Sequence, residues 1–236
     1  MVAVVTCARS RGPGIGNGQA AAILFAREGA WVARADRVAD WAAETQRMIQ
    51  DEDGDSFALE ADVTRSTDCE RIVREVVDRY GPMSMLQNNV GIGASGSVVD
   101  VDETFWDDVM RVNVKSMMLS SKHVVAVMAV NGGGSIINVS SISAIRPPGL
   151  TPYSTSKGAV IALTQAMAVD HAAQGIRVNS ILPGPVFAPM VQPGGLTLEQ
   201  RAIRAKASPL GTEGTGWDIG WAAVFLASPE ARWITG

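Results

Sequence analysis

What most constrains this chain is an alternation. Short β-branched runs at Val2–Thr6, Trp31–Ala35, Phe57–Glu60, Met85–Asn88, Ser135–Val139 and Arg177–Leu182 are separated by longer stretches carrying apolar residues three and four apart. A compact apolar strand followed by an amphipathic helix, repeated, is the pattern of βαβ units, which build a mostly parallel sheet with helices on both faces. Helices are expected over Gly18–Glu28, Val38–Gln50, Ser66–Arg79, Glu103–Val130, Tyr153–Gln174 and Asp218–Ala227. Gly29 and Gly175 stand where left-handed C-caps belong. No repeat, low-complexity tract or linker divides the 236 residues, so a single α/β domain over 1–236 is expected.

Composition narrows the function. Twenty Lys+Arg against 24 Asp+Glu leave a net charge of −4, which argues against a broad basic footprint for nucleic acid or an anionic membrane. The two cysteines, Cys7 and Cys69, supply neither a disulfide framework nor a zinc cage and fit a reducing, cytoplasmic setting. Apolar runs stop short of bilayer-spanning length and the amino terminus lacks a basic n-region, so neither membrane insertion nor export is expected. His123 and His171 lie in no ligand cluster, so no metal is expected, and the six scattered tryptophans read as core and interface packing. Small-molecule chemistry is what remains.

Two places carry that chemistry. The glycine-rich segment Thr6–Gly18 (TCARSRGPGIGNG) follows the first strand and opens an Ala-rich helix, so backbone N–H groups and a helix N-terminus face an anion. Glycine lets the backbone approach a pyrophosphate. Asp36 then ends the second strand, where a carboxylate accepts hydrogen bonds from ribose hydroxyls and repels a 2′-phosphate, favouring NAD over NADP. The alternatives are that Asp36 caps the next helix, or that Arg34 or Arg37 accommodates a phosphate. The second place is Tyr153-x-x-x-Lys157, whose spacing sets phenol and ammonium on one helix face. A neighbouring cation favours phenolate, as proton exchange with an alcohol or ketone requires. Ser140 and Ser141 end the fifth strand, where a hydroxyl can hold a substrate oxygen or serve a turn.

With Asp62-Val63, Asn88-Asn89-Val90-Gly91, Asn113 and Pro183-Gly184-Pro185-Val186 added in order, the chain resembles the classical short-chain dehydrogenases/reductases over essentially its whole length. The resemblance implies a Rossmann-like doubly wound parallel sheet flanked by helices. It also implies an NAD(H)-dependent oxidoreductase interconverting a secondary alcohol and a ketone. In that frame Tyr153 is the acid/base, Lys157 holds the nicotinamide ribose and lowers the tyrosine pKa, and Ser141 orients the substrate oxygen. Asn113 anchors a water of a proton relay. Gly16 and Gly18 are the last two glycines of the phosphate loop, and Asp62 and Val63 hold the adenine. Asn89 and Gly91 bring backbone to the cofactor, while Pro183, Gly184 and Val186 place backbone groups at the carboxamide. The loop 183–207 covers the small-molecule substrate, and Glu103–Val130 with Tyr153–Gln174 form the core of a homotetramer.

The chain also departs from the pattern. Cys7 stands where the family has glycine after Thr6, and the phosphate loop is longer than usual. The stretch from Ser141 to Tyr153 is one residue short, so Ser140 fits the count and Ser141 the motif; the motif is followed. Val90 replaces alanine, and Ala188 replaces a threonine that contacts the carboxamide. The family continues beyond Gly236 into a last strand, whose absence would leave an unpaired sheet edge. The competing reading is a non-catalytic dinucleotide-binding sensor or regulatory subunit on the same fold.

Overall fold

The computed structural model describes residues 1–7, 14–147, 149–188 and 196–236. Six parallel strands, β1 (Val2–Thr6), β2 (Trp31–Asp36), β3 (Ser56–Glu60), β4 (Met85–Asn88), β5 (Gly134–Val139) and β6 (Ile176–Ile181), form one sheet in the order β3-β2-β1-β4-β5-β6. The strand order reverses between β1 and β4, so a crevice opens beyond their carboxyl ends.

Burial explains why these segments are strands. All five residues of β1 are buried, and successive side chains feed opposite layers. Val2 and Val4 enter one core with Val76, Leu86, Leu119 and Met128, while Ala3 and Val5 enter the other with Ile23, Phe25 and Ala223. Helices α1 (Asn17–Arg27), α2 (Ala39–Gln50) and α3 (Ser66–Tyr80) join the first four strands. The strand set and topology match the expected Rossmann-like architecture.

The expected single helix over 103–130 is interrupted. It consists of α4 (Glu103–Met110), a π-helical turn over Arg111–Lys115, and α5 (Ser116–Val130). The turn widens where the Asn113 amide is drawn to the backbone of Ile92. Helix α6 (Thr151–His171) begins before Tyr153, with Pro152 in its first turn, and tightens into a 3₁₀ turn that Gly175 ends at a φ of 72°.

The loop 183–207 has structure of its own, apart from 189–195, which lie outside the described residues. Its strand β7 (Val186–Phe187) pairs in parallel with β8 (Gly214–Thr215), and between them runs α7 (Leu198–Ala207). Helix α8 (Gly216–Ala227) follows. As expected, β6 ends the sheet with β5 as its strand neighbour, and the tail covers that edge at Val178. The Gly236 N–H donates to the Val178 carbonyl at 2.9 Å, and the Val178 N–H donates to Thr235 Oγ1 at 3.0 Å.

Candidate active site

The phosphate-facing turn is built from two strand ends and a helix start. Gly16 precedes α1 with no side-chain cap, so no N-cap side chain takes up the first-turn N–H groups of α1. A Cβ on Gly18 would stand 2.5 Å from the Cys7 carbonyl and 2.7 Å from Asn89 Nδ2, so only glycine fits. Asn89 braces this turn: its Nδ2 donates to the Cys7 carbonyl at 3.1 Å, and its N–H donates to Thr6 Oγ1 at 3.1 Å. Cys7 itself has a φ of 54°, the left-handed region that costs a side-chain-bearing residue on the order of 1 kcal/mol. The departure from glycine therefore falls on a position whose backbone favours glycine. Of the two glycines expected inside the insertion, Gly12 lies in 8–13, outside the described residues, and Gly14 has a φ of 97°.

Beside this turn a cleft runs along the carboxyl ends of β1 to β4, lined by Asp36, Asp62, Val63 and Gly91 among others. Asp36 is 6% exposed, and its Oδ1 accepts the Val38 N–H at 3.3 Å, shaping the turn before α2. It does not cap α2, whose N-cap position is Val38. Asp62 Oδ1 accepts from the N–H and the hydroxyl of Thr64 at 2.9 and 2.7 Å. Burial pushes the Asp62 carboxyl up, but these bonds and the charges of Arg37 and Arg111 outweigh it and hold it below its ordinary value. Arg37 lines the cleft, whereas Arg34 is buried and donates to Gln46 Oε1 at 3.2 Å.

Trp41 also lines the cleft, which corrects the reading of every tryptophan as core or interface packing. Its signal was positional: five residues after the strand-ending Asp36, it falls in the first turn of α2, next to the carboxyl edge. Arg111, at the start of the π turn, was likewise not singled out as a cleft residue. Its Nη1 donates to Thr64 Oγ1 at 2.9 Å, and its Nη2 pairs with Asp108 at 2.9 Å.

The other candidate residues converge where β5 meets α6. Tyr153 stands beside Ser141; burial raises the phenol above its ordinary value of 10.0, and the nearby Ser141 hydroxyl only partly opposes this. Ser141 Oγ also accepts the Ser143 N–H at 3.1 Å, while Ser140 Oγ donates to the Lys157 carbonyl at 2.7 Å. The motif-matched serine thus meets the phenol, and the count-matched one ties β5 to the α6 backbone.

Lys157 is 3% exposed, and its Nζ donates to the Val139 carbonyl at 2.8 Å. Burial pulls its pKa down to about 8 against an opposing pull from Cys7. Its Nζ lies 5.7 Å from the centre of the Tyr153 ring. In this structure burial is the larger influence on the phenol, and it acts against the lowering expected of Lys157.

Asn113 is fully buried; its Oδ1 accepts the Ile92 N–H at 2.7 Å. Its Nδ2 donates to the Ile92 carbonyl and to Ser156 Oγ, both at 3.0 Å. Gly91 packs against this pair, since a Cβ there would stand 3.4 Å from Lys157 Nζ and 3.5 Å from Asn113 Oδ1. Beyond β6, the Pro183 carbonyl accepts the Ile142 N–H at 3.0 Å, tying Pro183 and Gly184 to the Ser141 turn, and Val186 opens β7.

A doubly wound sheet with a glycine turn at α1 and a Ser–Tyr–Lys–Asn cluster at its carboxyl edge defines a Rossmann-type dinucleotide-binding oxidoreductase. A family model described as enoyl-(acyl carrier protein) reductase matches residues 12–236. A 2-(S)-hydroxypropyl-CoM dehydrogenase of Xanthobacter autotrophicus is 34% identical over 230 residues, covering 95% of this chain and 90% of the relative. A 3-oxoacyl-[acyl-carrier-protein] reductase of Thermotoga maritima is 34% identical over 231 residues, covering 95% and 91%. A crystal structure from Burkholderia xenovorans, named among the short-chain dehydrogenases/reductases, superposes with a TM-score of 0.93 at 38% identity, covering 99% of this chain and 91% of that one. The chain belongs to the classical short-chain dehydrogenase/reductase family, and is an oxidoreductase of the NAD(P)-dependent kind. No helix among the described residues is long and apolar enough to cross a membrane.

Proposed function

We propose that this chain is an NAD(H)-dependent oxidoreductase that interconverts a secondary alcohol and a ketone, with Tyr153 as the acid/base. The observation that carries this reading is the partly buried Tyr153 phenol, with Ser141 close enough to act on its pKa, one helical turn from the buried Lys157 ammonium. A bound nicotinamide supplies or accepts the hydride. Everything else falls to the protein. Raised above its ordinary value, the Tyr153 phenol is protonated at neutral pH and gives its proton to the oxygen of a ketone as hydride arrives. In the reverse direction it takes the alcohol proton. Ser141 holds the same oxygen and fixes its approach to the phenol.

The residues fit the coenzyme. The Gly18 approach leaves backbone N–H groups near Gly16 free to face a pyrophosphate, and Asn89 holds that turn in shape. Asp36, at the end of β2, accepts the ribose hydroxyls and sets NAD above NADP; Asp62 and Val63 flank the adenine in the same cleft. An ammonium has three donors; one Lys157 donor goes to Val139, which leaves others for the nicotinamide ribose beside Gly91. Asn113 fixes the turn beside Lys157 through which a proton relay runs to solvent. Pro183, Gly184 and Val186 offer backbone groups to the carboxamide.

The names of the two relatives, a hydroxypropyl dehydrogenase and a 3-oxoacyl reductase, support the alcohol and ketone assignment. We further infer a cytoplasmic homotetramer built on α4, α5 and α6, where Phe105 and Met118 are each 39% exposed. The test is NADH titration by fluorescence together with NAD-linked oxidation of a panel of cyclic and aliphatic secondary alcohols. NADH accumulating in step with ketone is the expected result. Tight NADH binding without turnover on any member would favour the sensor reading.

A further inference from the structure

We propose that Glu213 is a positioning residue for the nicotinamide half of the coenzyme, locking the Pro185–Phe187 strap and α7 into one unit; this rests on the NAD(H) reading above. The Glu213 side chain is 5% exposed and is shared by two guanidiniums of α7. Its Oε2 accepts Arg201 Nε at 2.9 Å and its Oε1 accepts Arg204 Nε at 2.7 Å. Arg204 Nη2 also donates to the Val186 carbonyl at 2.9 Å, and the Gly214 N–H donates to the Pro185 carbonyl at 3.0 Å. The strap is therefore gripped from both sides of Glu213.

The grip extends further. The Arg201 guanidinium lies 4.1 Å from the centre of the Phe187 ring, and that ring lies 3.6 Å from where a Cβ on Gly14 would be. The same carboxylate that anchors α7 thus also holds, through Arg201, the guanidinium that packs on the strap's Phe187. Helix α7 has no buried residue, so polar contacts and not apolar burial dock it. Burial pushes the Glu213 carboxyl up, but the hydrogen bonds of Arg201 and Arg204 outweigh that and hold it ionised. Without Glu213, two guanidiniums lose their shared partner and the Val186 carbonyl loses its fixed donor.

The test uses NADH and ADP-ribose, which lacks the nicotinamide, as calorimetric probes of the full chain and of Glu213→Ala and Glu213→Gln. We expect Glu213→Ala to weaken NADH roughly tenfold or more while ADP-ribose stays within about twofold, and Glu213→Gln, which keeps one acceptor, to fall between. A purely structural role would weaken both probes together, and that result overturns the proposal. So does an unchanged NADH affinity in a variant whose far-UV spectrum matches the parent. If the parent chain binds neither probe, the coenzyme reading fails and takes this one with it; if it binds both and only the variants' selectivity is missing, this proposal alone fails.

Discussion

Asn113 clasps Ile92 twice, accepting its N–H at 2.7 Å and donating to its carbonyl at 3.0 Å. One side-chain amide thereby completes a backbone ladder that the chain itself breaks after β4. Asn113→Ala leaves the Ile92 groups and Ser156 without these partners in a buried setting, and should cost roughly 2–4 kcal/mol. Urea unfolding measures it; a loss below about 1 kcal/mol would mean that water or rearranged backbone satisfies Ile92.

Tyr153→Phe keeps the ring and removes the proton. Turnover should fall by roughly 10²- to 10⁴-fold while NADH affinity changes little. Because burial raises the phenol, alcohol oxidation in the parent, which needs the phenolate, should climb with pH well into the alkaline range. Ketone reduction, which needs the phenol, should stay level through neutrality. Initial-rate pH profiles in both directions decide it, and an oxidation limb that levels off at or below neutral pH would contradict the raised pKa.

Lys157 gives a signed prediction for stability. Its pKa is about 8 in the folded chain against an ordinary 10.5, so between those values the unfolded chain binds more protons and stability rises with pH. Below pH 8 the cost of burying the ammonium is present in full, roughly 3 kcal/mol by the conversion of pKa shift to free energy. Relative to Lys157→Met, the parent should therefore gain stability between pH 7 and pH 10. Denaturant unfolding of both proteins at those two pH values checks the sign. A gap that stays constant would show that Lys157 keeps its ordinary pKa.

Asp36→Ala should narrow the preference for NAD over NADP by roughly tenfold, as expected from removing one charge a few ångströms from a 2′-phosphate at intermediate dielectric. Arg37, on the same cleft, would then face the phosphate unopposed by Asp36. The ratio of kcat/KM for the two coenzymes is the measure, and an unchanged ratio would remove Asp36 from coenzyme selection.

The strands were legible because a strand covered on both faces must be apolar at every position, as in β1. The Tyr153, Lys157 and Asp36 positions were legible because their spacing from a strand end or along a helix is local. What stayed hidden depends on distant partners. The π turn at Asn113 forms for a bond to Ile92, 21 residues away. The direction of the Tyr153 pKa is set by burial that several elements create together. Trp41 was passed over because composition does not say which face of α2 meets the sheet edge, and Glu213 because spacing along the chain does not show that the short helical piece around Leu198–Lys206 folds back onto it.

The widened turn at Arg111–Lys115 makes residue count, and not only residue type, a determinant of this fold. A π turn takes in about one residue more than an α turn, so deleting one residue between 111 and 115 lets the turn close to α with Phe105 and Met118 kept nearly in phase, and what is lost is the widening that brings the Asn113 amide to Ile92.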